Sequence, residues 1–95
     1  MKHRPTHFEE YLKEQLKSPT FRRSYEKEYL KAGIAIRIAE MRRLKRISQE
    51  ELARRLGATQ QMVSDIELCK QSNMTLATLL KIAEALDRRL IVDFR

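Results

Sequence analysis

The chain has 95 residues, with 20 basic against 13 acidic side chains and a formal net charge of +7. That length allows one modest core and excludes a catalytic domain standing beside a regulatory one. The lone cysteine, Cys69, excludes an internal disulfide and a four-cysteine zinc site, and no apolar run approaches the roughly 20 residues of a membrane span.

Taken in chain order, Thr6-His7-Phe8-Glu9 has the T-x-x-E form of a capping box, and Phe8, Tyr11, Leu12 and Leu16 follow at helical spacing. A helix is predicted from about residue 7 to 17. Ser18-Pro19 stops it and starts another, with Ser18 as N-cap and Pro19 at the first helical position. Phe21, Tyr25, Tyr29 and Leu30 mark one face of this second helix, and Gly33 either breaks it or only weakens it. Ile34, Ile38 and Met41 form the next stripe, ending near Lys45. Ser48-Gln49-Glu50-Glu51 is a second capping box, opening a short helix with Leu52, Ala53 and Leu56 inward. Gly57 closes it, because a left-handed residue past a helix end costs glycine little. Thr59 caps a helix from Gln60 to about Leu68, with Val63 and Ile66 inward. Lys70 to Asn73 reads as loop. Thr75 caps a last helix with Leu76, Leu79, Leu80, Ala83 and Leu86 on one face. Leu90, Val92 and Phe94 then alternate with Ile91 and Asp93, the period of a short β-strand.

With two glycines, two prolines and 35% charged residues, the composition is that of an all-α protein. The basic excess favours an anionic partner, most simply nucleic acid; solvated charge-rich helices are the plainer explanation. The two capped helices joined at Gly57 have the pattern of a helix-turn-helix, which lays its second helix in the DNA major groove. That helix begins Thr59-Gln60-Gln61. A glutamine amide offers adenine a donor and an acceptor together, Thr59 can pack its methyl on a thymine methyl, and Asp65, near Ser64 one turn on, can accept from cytosine. An ordinary exposed helix would tolerate the same residues. Met62 either touches the sugar-phosphate backbone or covers the core edge.

The residues from Ile34 to Leu86 resemble the Cro/repressor-type (XRE) helix-turn-helix domain. The resemblance lies in Arg42, Ile47-Ser48-Gln49-Glu50-Glu51-Leu52-Ala53, Leu56-Gly57, Thr59-Gln60-Gln61, Val63-Ser64, Ile66-Glu67, Leu79 and Ile82-Ala83-Glu84-Ala85-Leu86. It implies a five-helix, lambda-repressor-like fold and a structural ion pair between Arg42 and Glu67. It also implies DNA contact by Gln49, Gln60, Gln61 and Asp65, with Gln49 at a helix start suited to a phosphate. Base reading is thus assigned to Thr59, Gln60, Gln61, Ser64 and Asp65, and phosphate contact to Gln49, Arg43, Lys45, Arg46 and Lys70. Arg46 and Cys69 stand where the family commonly has glycine, so an altered loop is expected over Cys69 to Asn73.

The opening Phe8-Glu9-Glu10-Tyr11-Leu12-Lys13 with Ser18-Pro19-Thr20-Phe21 is similar to the N-terminal extension of HigA-type antitoxins. Asn73-Met74-Thr75-Leu76 with Leu90-Ile91-Val92-Asp93-Phe94 is similar to HipB-type antitoxins. This narrower resemblance implies a homodimeric repressor of its own operon that neutralises a small, basic, ribonuclease-like toxin. The organisation is then a helical extension over 1–33, a DNA-binding domain over 34–87 and a dimerisation strand over 88–95. Phe8, Tyr11, Leu12, Phe21 and Tyr25 are assigned to the toxin, with packing on the protein's own domain or dimerisation as the alternatives. Leu90, Ile91, Val92 and Phe94 are assigned to a strand paired across the dimer, with a frayed tail as the alternative.

Other chemistry is thin. His3 and His7 are four apart but lack a third ligand, so no metal is expected. Cys69 reads as a loop cysteine more readily than as a sensor thiol. No catalytic triad, phosphate-cradling glycine loop or carboxylate pair emerges, so neither an enzyme nor a cofactor is expected. An unpaired thiol, with no apolar stretch behind Met1-Lys2-His3-Arg4-Pro5, points to a cytoplasmic protein without a signal peptide or membrane partner. Two other readings share the motifs: a stand-alone phage-type repressor without a toxin, and a protein-binding module with weak DNA binding.

Overall fold

A computed structural model describes residues 4–71 and 74–95. His3 of the histidine pair, and Ser72 and Asn73 of the expected loop, lie outside the described residues. Five helices form among those described: α1 (His7–Gln15), α2 (Pro19–Leu44), α3 (Gln49–Leu56), α4 (Gln60–Glu67) and α5 (Leu76–Ala85). The chain divides into two compact units, one ending at Lys31 and one running from Ala32 to Arg95.

In the first unit, Thr6 caps α1 as its sequence predicts. The Thr6 hydroxyl accepts from the Glu9 N–H at 3.1 Å, and the Glu9 carboxylate accepts from the Thr6 N–H at 3.3 Å. Ser18 accepts from the Phe21 N–H and starts α2. Along α2, Phe21, Tyr25 and Tyr29 stack at successive one-turn steps, with ring centroids 6.4 and 6.3 Å apart. No described residue of this unit is buried, and Phe8, Tyr11, Tyr29 and Leu30 are exposed.

Gly33 does not interrupt α2. A glycine inside a helix costs only about 1 kcal/mol, and Lys31, Ala32 and Ala35 around it are good helix formers. The helix therefore continues to Leu44. The second unit's core is made by Ile38 of α2, Leu52 and Ala53 of α3, Val63 and Ile66 of α4, and Ile82 with Leu86 from α5 and its cap. Met62 packs against this cluster, at the core edge.

Two expectations need correction. On α5 the expected Leu79, Ala83 and Leu86 lie inward together with Ile82, while Leu76 and Leu80 are exposed. The sequence Leu-Ala-Thr-Leu-Leu-Lys-Ile-Ala is apolar over most of its circumference, so periodicity alone admits two faces. The tail also differs from the expected strand. No strand forms among the described residues; Leu90 is half-buried, and Ile91, Val92 and Phe94 are exposed, Phe94 at 96%. Alternation marks side chains that suit a strand, but a strand exists only against a neighbouring ladder, and a single tail offers none.

Four helix ends share one closure. The N–H that follows a left-handed residue bonds back to a carbonyl in the last turn, in Ile47→Arg42, Ala58→Ala53, Lys70→Asp65 and Arg88→Ala83. The left-handed residue this requires is Arg46 (φ 60°), Gly57 (φ 67°), Cys69 (φ 60°) and Asp87 (φ 54°), respectively. Arg46 and Cys69 thus keep the left-handed geometry without glycine. In the described part of the loop expected to alter, Cys69 to Gln71, Cys69 supplies the left-handed closure and Lys70 its bond to the Asp65 carbonyl.

Candidate nucleic-acid interface

The Ser48 and Thr59 hydroxyls accept from the Glu51 and Met62 N–H groups, at 3.0 and 3.1 Å, and so begin α3 and α4. The second capping box closes only halfway. The Glu51 carboxylate accepts from Arg54 and Arg55 instead of reaching back to Ser48. These bonds hold the Glu51 carboxyl below the usual carboxylate range.

A clasp joins the start of α3 to the end of α4. Arg42 Nε and Nη2 donate to the two oxygens of Glu67 at 2.6 and 3.0 Å, and Nη1 donates to the Ile47 carbonyl at 2.9 Å. Gln49 Nε2 adds a 3.2 Å bond to Glu67. The side chains of Arg42 and Glu67 retain only 12% and 4% of their exposure. Burial pushes the Glu67 carboxyl upward, but the bonds from Arg42 and Gln49, with the nearby charges of Arg42 and Arg43, outweigh it and set the carboxyl below its ordinary value. The Glu67 bond likewise raises Arg42. One forked pair therefore ties the end of α2, the start of α3 and the end of α4.

With that end fixed, the start of α4 faces outward. Thr59, Gln60 and Gln61 are exposed, and Ser64 and Asp65 half-buried. Thr59 uses its hydroxyl as the cap but keeps its methyl. Gln61 Nε2 donates to Asp65 Oδ1 at 2.9 Å. A helix-turn-helix family model matches residues 38–91, more than half of the chain, and spans both α3 and α4. The chain belongs to the helix-turn-helix family. The match supports the XRE type, whose character is sequence-specific DNA-binding regulation. No curated protein and no solved structure matches the chain.

The basic residues of this helix-turn-helix protein fall into two sets. Arg43, Arg46 and Lys70 are exposed and form no ion pair among the described residues. Lys45 is instead bonded to Asp87, and its ammonium lowers the Asp87 carboxyl. Gln49 is half-buried and shares its amide with Glu67, so only part of its donor capacity faces outward. Three connections had no readable sign in the sequence. The Ile47 carbonyl in the clasp, Asp87 under Lys45, and the 3.0 Å bond from Arg55 to the Ala85 carbonyl all depend on tertiary placement. The Gln61–Asp65 bond did have a sign, the i,i+4 spacing on one helix.

Cys69 is half-buried, and no group of three or more His, Cys, Asp or Glu able to hold a metal occurs among the described residues. No described helix is long and apolar enough to cross a membrane.

Proposed function

We propose that this protein is a homodimeric transcriptional repressor that binds a palindromic operator and serves as the antitoxin of a toxin–antitoxin pair. The observation that carries the DNA half is the exposed Thr59-Gln60-Gln61 start of α4, a helix whose far end is held by the Arg42–Glu67 clasp. Gln60 and Gln61 read adenines in the major groove, with Thr59 and Ser64 beside them, while Arg43, Arg46 and Lys70 engage phosphates. Two such helices one DNA turn apart require two copies, and the exposed Ile91, Val92 and Phe94 supply an apolar surface for a second copy.

Support for the toxin half is the aromatic surface of the first unit. Phe8 and Tyr11 on α1 are exposed, and Tyr25, Tyr29 and Leu30 line an apolar groove with Glu26. A surface of this kind is covered by a partner more often than by water.

Gln60→Ala is expected to lose about 1–3 kcal/mol at one base pair of each half-site and to relax preference there. Lys70→Ala should weaken every duplex alike and lower the log–log salt slope by about one. Unchanged base preference in Gln60→Ala, measured by titration, removes the reading role. For the second half, coexpression with the product of the adjacent reading frame should give a copurifying pair that Phe8→Ala with Tyr11→Ala disrupts while DNA affinity persists. Loss of DNA affinity with the pair intact would reverse the assignment.

A further inference from the structure

Gln61 and Asp65 stand one turn apart on the outer side of α4, and the Gln61 amide donates through Nε2 to Asp65 Oδ1 at 2.9 Å. Asp65 forms no ion pair among the described residues, so this amide is the side-chain partner its carboxylate has. An ionised carboxylate has acceptors and no donor. It therefore takes the NH2 end of the amide and refuses the carbonyl end, which decides how the amide plane is turned. Gln61 is left with Oε1 and one N–H. Those are the acceptor and donor that adenine N6–H and N7 require. An amide held this way enters the groove already oriented, whereas a free one samples both orientations and loses entropy when it docks.

The same carboxylate has an opposite effect on affinity. A negative charge on a surface that approaches phosphates weakens binding to any duplex. A group that lowers general affinity while fixing a reader's orientation widens the gap between right and wrong sequences.

We propose that Asp65 is a positioning residue that reads no base itself and sets the specificity of Gln61 by fixing its amide orientation. This rests on the operator-binding reading above. It replaces direct acceptance from cytosine, the role that the carboxylate would have if its oxygens met a base edge.

Full-length wild type, Gln61→Ala, Asp65→Asn, Asp65→Ala and the double alanine variant are each equilibrated with a duplex library randomised over 20 base pairs, and the bound fraction is sequenced. Each is also titrated on one fixed duplex of unrelated sequence. Gln61→Ala should flatten preference at one position per half-site. Asp65→Asn and Asp65→Ala should flatten that same position, from tenfold or more to under about threefold, and the double variant should match Gln61→Ala there. Both Asp65 variants should bind the unrelated duplex roughly twofold to fivefold more tightly. Asp65→Asn keeps size and a carbonyl, so it guards against a fold defect, and coincident melting of all variants checks it.

Flattening at a different base pair makes Asp65 a direct reader and overturns the proposal. So does a uniform gain of affinity with the preference profile intact, which reduces Asp65 to a charge. A wild-type selection that enriches no sequence removes the operator-binding reading and takes this proposal with it. A selected motif with the wrong position affected removes the proposal alone.

Discussion

In the unit ending at Lys31, Phe8 and Tyr29 are 68% and 69% exposed; in the unit from Ala32, Leu52 and Val63 each keep 1%. The bonds follow the same division. In the first unit the Thr6 box, the Glu14–Lys17 pair and the Phe21, Tyr25 and Tyr29 stacks all join residues within one turn of each other. The second unit joins Arg42 to Glu67, Lys45 to Asp87 and Arg55 to Ala85, across 25, 42 and 30 positions of chain. Short helices with only local support are marginal in water, whereas burial of an amphipathic face makes a cooperative core. One unit thus holds the buried core, and the other displays apolar surface on α1 and the first turns of α2.

Truncation of side chains gives the widest test of that contrast. Leu52→Ala should cost about 3 kcal/mol in denaturant unfolding, and Phe8→Ala less than about 0.5. Equal costs would break the contrast, because they would place Phe8 in a core.

Glu67→Gln should cost about 2 kcal/mol, since Arg42 keeps a neutral acceptor but loses its counter-charge away from water. Its pH dependence has a definite sign. A carboxyl set below its ordinary value stabilises the fold fully above the unfolded value, about 4.3, and that stabilisation is lost as pH falls through the folded value. Unfolding followed from pH 6 to pH 3 should therefore show an acid decline in the wild type that is shallower in Glu67→Gln.

Two opposite glycine exchanges sharpen the contrast within the second unit. Cys69→Gly relieves a left-handed residue, and Gly33→Ala stiffens a helix where an added Cβ meets nothing within 4 Å. Each should raise stability by about 0.5–1 kcal/mol in thermal or denaturant melts. Cys69→Gly with lowered stability would mean that the thiol packs more tightly than its half-burial indicates. The smallest effect belongs to the first unit: Glu14→Gln, breaking a pair exposed at 69% and 70%, should shift stability by less than about 0.5 kcal/mol.

Helix positions were legible because caps and stripes are local chemistry. Thr6, Ser48, Thr59 and Thr75 each cap the helix they were expected to start, and the predicted ends fall within two residues of the observed ones. The core of α3 and α4 was legible for the same reason. The face of α5 was legible only in Leu79, Ala83 and Leu86, because apolar residues surround the helix and only packing turns Leu76 and Leu80 outward. The tail's alternation described a fitness for pairing, and pairing is a property of two strands. Among the candidate DNA residues, exposure of Gln60 and Gln61 agrees with their spacing, whereas the capture of Lys45 by Asp87 and of Gln49 by Glu67 depends on neighbours that no local window contains.

The guanidinium of Arg42 engages two carboxylate oxygens and a main-chain carbonyl in three directions at once. A lysine there would carry the same sign of charge on a single point and meet at most part of that set. The exchange usually counted as the mildest for arginine would therefore act as a deletion, and tolerance of basic residues at this position should extend to arginine alone.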